Sequence, residues 1–380
     1  MVETKMIEYR LNGPASWERQ RIRLMASLGE NRFPQAILID GPAGIGKKLM
    51  AMEIARALQC TDPNIRPCGR CFACKMAVDA GATDNWVFPM ISKEANAKSA
   101  ADVSAGSTAK TVQDFKKGYI ETIMANPYGI DTFSTAASIS VDMIRNMTGS
   151  FALRGMGVRV IIVAEADRMN DSAANALLKT LEEVPTDTYF ILTTSSREKL
   201  LQTIRSRCLA LHLVALSDDE VRSEMEKYLE KEDLTNDGVP DDVVGLAMGS
   251  VGKALYYMET AKKWSDLSVS FVQKSLSLDY SDLYFEIDEA DIEDADNALR
   301  FLEVLSFLIC DLMRQMAGTP LRIPETTDRV HLQDYPLVNL PVLETSLLTV
   351  QETMSRVASR RTSVSVCLQS LAIKLFEGAK

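Results

Sequence analysis

A chain of 380 residues with 46% hydrophobic and 25% charged residues has the composition of a soluble globular protein, with room for two or three domains. Its net charge of −10 excludes a global basic field that would draw it to nucleic acid, so any such contact must be local or come from partners. No apolar run is long enough to span a bilayer and no secretory leader is recognisable, which makes the cytoplasm the expected compartment. Seven cysteines, four of them tightly clustered, suit metal ligation in a reducing compartment better than a disulfide framework.

Residues 1–35 are polar and mixed, with Trp17–Leu28 patterned as an amphipathic helix ahead of the first core strand. Ala36–Ile39 is an apolar run that predicts a buried strand, and it meets a loop containing Gly41, Gly44 and Gly46. A helix is expected over Leu49–Leu58, with Met50, Ile54, Ala57 and Leu58 at helical spacing. Glycines in this order let backbone N–H groups turn inward on an anion, and Lys47 supplies a point charge for the β- and γ-phosphates of a nucleotide. The next position should carry a Ser or Thr hydroxyl to hold Mg²⁺; here it is Lys48.

Cys60, Cys68, Cys71 and Cys74 follow in the spacing C-x₇-C-x₂-C-x₂-C. Four thiolates so spaced can close a tetrahedral Zn²⁺ site, with Pro67 and Gly69 helping the turn, and four sulfur ligands leave no open position for catalysis. The competing reading is a set of free thiols. Trp86–Met90 predicts a second short strand. Residues 92–137 are rich in Ala, Ser, Thr, Lys and Gly and read as a surface insertion, with one helix expected over Thr111–Ala125. Ile139–Met147 returns to a helical pattern.

Val158–Val163 predicts a buried strand that runs into Ala164, Glu165, Ala166 and Asp167. Phosphate-loop proteins place acids here for Mg²⁺ and for the attacking water; Ala164 occupies the Mg²⁺-holding position, while Glu165 and Asp167 remain. A helix capped by Asn170 or Asp171 should bury Ala173, Ala174, Leu177, Leu178 and Leu181, and Pro185 bars its extension. Tyr189–Thr193 is the next strand, with Thr193, Thr194 and Ser195 at its end; Thr203–Cys208 closes a short helix and Leu209–Val214 reads as a last strand. This alternation argues a parallel sheet with helices on both faces. Beyond about residue 215 strands disappear. Ser217 and Glu220 form a capping box, residues 217–264 read as a small helical domain, the acidic run Glu286–Asp296 as a solvated surface, Ala298–Met316 as a buried helix, and Thr345–Phe376 as one or two amphipathic helices.

The run Gly41–Lys47, the four cysteines, Ala173–Glu183 and the triplet Ser206-Arg207-Cys208 together resemble the bacterial clamp-loader subunits of DNA polymerase III, over residues 35–260. The resemblance implies an AAA+ α/β domain with its zinc module over 1–214, a helical lid over 215–264 and an all-α collar over 265–380. It further implies a pentamer with gamma/tau and delta types, ATP-driven loading of a sliding clamp onto primed DNA, and Arg207, with Ser206 beside it, reaching a neighbour's ATP. Gly41, Gly44, Gly46, Lys47, Lys48 and Thr193 are the residues it puts at the nucleotide. Three departures point to the delta-prime type, a stator that has lost hydrolysis: Lys48, Ala164, and Gly252 where motor subunits carry a second sensor arginine, with Lys253 beside it. Such a chain would bind ATP or ADP weakly and without Mg²⁺, because Lys48 repels the cation. Two alternatives stay open: an active motor or other AAA+ remodeller using Glu165, and a zinc-binding nucleic-acid module with a vestigial loop. Arg207 read alone would be a surface ion-pair residue.

Overall fold

Buried apolar strands build the first half of the chain. In the computed structural model, which describes residues 8–9, 11–29, 32–77, 79, 83–95, 111–130, 136–149, 157–231, 238–289, 292, 294–359 and 362–378, two compact units separate. One runs to Glu220 and includes Gly249–Gly252; the other comprises Val221–Met248 and Lys253 onward.

The first unit holds a two-stranded parallel pair, β1 (Glu8–Tyr9) with β3 (Ile65–Arg66), and a five-stranded sheet. The sheet consists of β2 (Ala36–Asp40), β4 (Trp86–Val87), β5 (Arg159–Val163), β6 (Thr188–Thr194) and β7 (Leu209–His212), in the order β4-β5-β6-β2-β7, all parallel. Every residue of β2 is buried, which is why it reads as a continuous apolar run rather than an alternating one. Leu38, Ile161, Val163, Phe190 and Leu192 pack against Ile144, Met147, Ala173, Leu177 and Leu181 of the helices Val141–Gly149 and Asp171–Glu182. Their strand neighbours Ile37, Ile39, Ile162 and Ile191 point to the other face, and the helix Lys47–Gln59 packs on β5 and β6. Each such aliphatic side chain fully removed from water contributes roughly 1.5–3 kcal/mol.

Asn170 rather than Asp171 caps the helix Asp171–Glu182, its Oδ1 accepting from the Ala173 N–H at 2.8 Å. The helix expected from Ile139 starts at Val141, because Ile139 is drawn into a parallel bridge with Met169. The last strand ends at His212 rather than Val214, although Leu213 N–H still donates to the Asp40 carbonyl at 2.8 Å.

Within 92–137, read from the sequence as a surface insertion, the expected helix is present over Val112–Ala125 and is docked on the domain rather than loose. Thr111 and Asp114 form a reciprocal capping box on the helix Val112–Ala125, and Ile120 and Ile123 on that helix are completely buried. Phe88 and Tyr119 stack edge to face at 5.3 Å, and the Tyr119 hydroxyl donates to Glu94 at 2.9 Å. Polar composition concealed two apolar residues three apart, and those suffice to dock one helix face. Residues 96–110 and 131–135 of this stretch, and 290, 291 and 293 of the acidic run, lie outside the described residues.

The second unit is helical among its described residues, with long helices over Val251–Ser277 (from Lys253 onward), Ala295–Ala317 and Leu340–Ala358, and a shorter one over Val364–Lys374. Asp294 caps Ala295–Ala317 and Gly318, at φ +66°, ends it. Phe301, Leu302, Leu305, Leu308 and Leu312 are buried, whereas Met316 is 43% exposed, so the helix is one-sided at its end rather than apolar all round. Two buried carboxylates tie the chain after Gly318. Asp311 accepts from the backbone N–H groups of Arg322 (2.6 Å) and Ile323 (2.7 Å) and from Arg314, while Asp242 accepts from the N–H groups of Glu325 and Thr326. Among the described residues no helix is long and apolar enough to cross a membrane.

Candidate nucleotide loop and interface arginine

In a parallel sheet the loops after the strands gather at one edge, and ligands bind there. The loop after β2, the acidic turn after β5 and the threonines ending β6 meet at that edge. Gly44 (φ +71°) and Gly46 (φ +106°) take left-handed conformations that a side chain would resist. Gly46 is the N-cap of the helix Lys47–Gln59. The Lys47 ammonium is buried and donates to the carbonyls of Gly41 (2.9 Å) and Pro42 (2.6 Å), closing the loop on itself.

Burial, and secondarily the like charge of Lys48, pull the Lys47 pKa down from 10.5 to about 8. A lysine whose pKa falls on folding binds fewer protons folded than unfolded, so native stability rises with pH between about 8 and 10.5. In urea unfolding, the stability of the wild-type chain minus that of Lys47→Met therefore increases by up to about 3 kcal/mol from neutral pH to the top of that window. A difference that stays flat with pH would refute this.

Lys48 is also buried. Its ammonium donates to the Gly129 carbonyl at 3.0 Å and lies 3.8 Å from a Glu165 oxygen. Glu165, at φ +50°, is further paired with Arg168 at 2.9 Å. Burial raises its carboxyl pKa, against the opposing pull of Lys48 and Arg168. The glutamate that sequence puts beside an attacking water is thus held by two cations. Thr193 is turned inward, its Oγ1 accepting from the Glu165 N–H at 3.1 Å, and the Thr194 hydroxyl donates to Asp167 at 2.6 Å. Ala164 is wholly buried.

Sequence reasoning missed the residues that crowd the loop. Tyr128, Ile130, Trp17 and Ser250 approach the glycines so closely that a Cβ on Gly46 would sit 2.7 Å from the Tyr128 ring and 2.6 Å from Trp17. A Cβ on Gly44 would sit 2.6 Å from Ile130 and 2.5 Å from the Ser250 hydroxyl. Ser250 donates to the Ala43 carbonyl at 2.8 Å, and Gly252 N–H donates to the Gly44 carbonyl at 2.9 Å. The local signal was the turn at Asn126-Pro-Tyr128, where Asn126 Oδ1 accepts from the Tyr128 N–H at 3.1 Å, but nothing in it names the loop as its target.

Cys60, Cys68, Cys71 and Cys74 converge with all four sulfurs within 4.8 Å of one another. The Cys68–Cys74 and Cys60–Cys71 sulfurs are 4.0 and 3.9 Å apart. A tetrahedron with Zn–S bonds of about 2.3 Å has edges of about 3.8 Å, so the four residues fit Zn²⁺. Backbone N–H groups of Cys68, Cys71 and Cys74 donate to the sulfurs of Cys60, Cys68 and Cys71 at 3.3, 3.3 and 3.4 Å, holding the side chains in place.

Arg207 follows the short helix Gln202–Arg205 and precedes β7. Its guanidinium donates to the Thr203 carbonyl at 3.0 Å and to Glu182 at 2.7 Å, with 36% of the side chain exposed. Ser206 donates to the Thr203 carbonyl at 3.0 Å, a local turn contact. Cys208 packs against the core, and burial pushes its thiol up to about 11. The register pairs Leu209 with Ile37 and His212 with Asp40. Arg207 therefore lies at the start of β2 and β7, and the glycine loop at their far end. At ~3.3 Å per residue the two are separated by about 20 Å, so Arg207 and its own loop are not one site.

The family described as "DNA polymerase III, delta subunit" matches residues 18–217. The chain belongs to this family of bacterial clamp-loader AAA+ proteins. Among curated relatives of the family member described here, DNA polymerase III subunit delta′ of Escherichia coli (strain K12) is 30% identical over 51% of this chain and 46% of its own length. DNA polymerase III subunit tau/gamma of Haemophilus influenzae is 27% identical over 65% of this chain and 30% of its own length. DNA polymerase III subunit tau of Bacillus subtilis (strain 168) is 27% identical over 64% and 36%. The chain thus spans about a third to a half of the length of these relatives. A DNA polymerase III gamma subunit-related protein of Thermotoga maritima covers 91% of this chain and 95% of its own at 14% identity, with a TM-score of 0.45.

Proposed function

We propose that this chain is the delta-prime-type subunit of a DNA polymerase III clamp loader, a stator that does not hydrolyse ATP but supplies Arg207 to a neighbour's nucleotide. The observation that carries the reading is the engagement of Lys48. Its ammonium stands in place of the Mg²⁺-binding hydroxyl and is held between the Gly129 carbonyl and Glu165. A divalent cation brought beside it would meet direct repulsion, and Glu165 is not free to orient water. The position of Arg207 at the opposite end of the strands supports action in trans: a guanidinium fork stabilises charge that develops on transferring phosphoryl oxygens. In this reading Cys60, Cys68, Cys71 and Cys74 hold a structural Zn²⁺, the helices after residue 215 serve as lid and collar, and the partners are gamma/tau and delta subunits in a pentamer. The sliding clamp and primed DNA are met through that complex, in the cytoplasm.

The tau and gamma relatives favour one competing reading, an ATP-hydrolysing motor. Purified full-length chain with MgATP separates the two. The stator gives no turnover above an enzyme-free blank; turnover that Lys47→Ala abolishes would establish the motor.

A further inference from the structure

We infer that residues 126–130 are a built-in occupant of the phosphate cradle, a segment of the protein's own chain that takes the space and the polar contacts a nucleotide's phosphates would use. The inference deepens the stator reading and rests on its view of the glycine loop as non-hydrolytic.

Three kinds of contact converge. The first is steric. Two of the loop's three positive-φ glycines are covered by this segment, Gly46 by the Tyr128 ring and Gly44 by Ile130. Tyr128 is 6% exposed, with its ring set against Gly46. The second is electrostatic. The Gly129 carbonyl accepts from the Lys48 ammonium at 3.0 Å, a charge-assisted bond to the cation that would otherwise face an anion. Lys47 meanwhile is satisfied by the Gly41 and Pro42 carbonyls, so neither loop lysine awaits a phosphate.

The third contact explains Gly252. A Cβ on Gly252 would lie 2.1 Å from the Tyr128 carbonyl oxygen and 2.8 Å from the Gly44 Cα, both backbone atoms that cannot swing aside. Its N–H is bonded to the Gly44 carbonyl. Glycine is thus required at 252 by the segment, which makes the closest approach, and by Gly44 of the loop, and no side chain fits there while the segment is seated. Gly252 and Tyr128 are two halves of one contact: the segment is inserted where the side chain has been removed.

The test is binding of ATP, without added magnesium, to the full-length chain by equilibrium dialysis. Tyr128→Gly combined with Ile130→Gly removes the occupant's side chains, and Gly252→Ala displaces the segment from the other side. Both variants are expected to bind ATP at least tenfold more tightly than the wild type, about 1.4 kcal/mol, and to lose the gain when Lys47→Ala is added. Wild-type binding as tight as that of the variants, or variants that keep their native melting transition and gain nothing, overturns the inference. Should the variants fail to fold, amine acylation of Lys47 and Lys48 in the wild type decides: slow modification unchanged by ATP supports the built-in occupant, and protection by ATP overturns it. ATP turnover by a complex reconstituted with these variants reads Arg207 separately, because that residue lies at the other end of the strands. Its loss with Arg207→Ala stands or falls whatever the dialysis shows.

Discussion

Arg207→Ala in a clamp loader reconstituted with this chain is expected to lower DNA-stimulated ATP turnover at the neighbouring nucleotide site by about a thousandfold or more, with assembly intact. The magnitude is that of arginines supplied in trans to a transferring phosphoryl group. The proposed role rests on where the sheet puts the residue. Two residues before β7, it sits at the strand edge opposite its own glycine loop and out of reach of that loop. Glu182 holds it at 2.7 Å, with 46% of the glutamate side chain exposed. Exposed pairs of this kind contribute roughly 0–1 kcal/mol, so a neighbour's phosphate readily draws the arginine away. Arg207→Lys restores only part of the rate, since an ammonium lacks the planar fork that meets two oxygens at once. Unchanged turnover in an assembled Arg207→Ala complex would remove the role from this residue.

Metal removal has the second large effect. Native mass measurement is expected to find one Zn²⁺ per chain, and a chelator that strips it is expected to expose four reactive thiols and loosen residues 60–77. Besides the cysteines, the segment is held by the pairing of Ile65–Arg66 with Glu8–Tyr9 and by packing on the helix Lys47–Gln59. Its described secondary structure amounts to the two-residue strand Ile65–Arg66 and the five-residue helix Phe72–Met76, neither of which is stable alone. Phe72 is 79% exposed, so even its aromatic ring adds nothing to a core. Structural zinc sites contribute apparent binding free energies on the order of 10 kcal/mol, far more than this segment can gain from burial. Cys71→Ser, which keeps the shape and removes one thiolate, is expected to lose the metal and lower the melting temperature of the whole chain. A metal-free native mass with an unaltered melting curve after chelator treatment would return the four cysteines to the reading of free thiols.

Sequence alone determined what depends on neighbours along the chain. Gly44, Gly46 and Lys47 announce a turn that presents N–H groups ahead of a helix, because backbone freedom and charge are local properties. The spacing of Cys60, Cys68, Cys71 and Cys74 brings four sulfurs together through short knuckles. The helix Asp171–Glu182 could be read from its cap and its apolar face, and the parallel sheet from the alternation of elements. Tertiary structure alone decided what occupies the loop. Lys48 meets a carbonyl 81 residues away, inside a stretch whose composition reads as a loose insertion. Gly252, taken singly, is a departure from the motor-type pattern that the sequence resembles; beside Tyr128 it is a position with no room for a side chain. Thr193 ends a strand as a polar residue free to face a ligand, yet its hydroxyl is spent on the Glu165 N–H. Arg207 shows its chemistry in the triplet around it, but only the register of β7 on β2 puts it about 20 Å from its own loop. Spacing encodes the chemistry a residue can perform; packing between distant segments decides what each group faces.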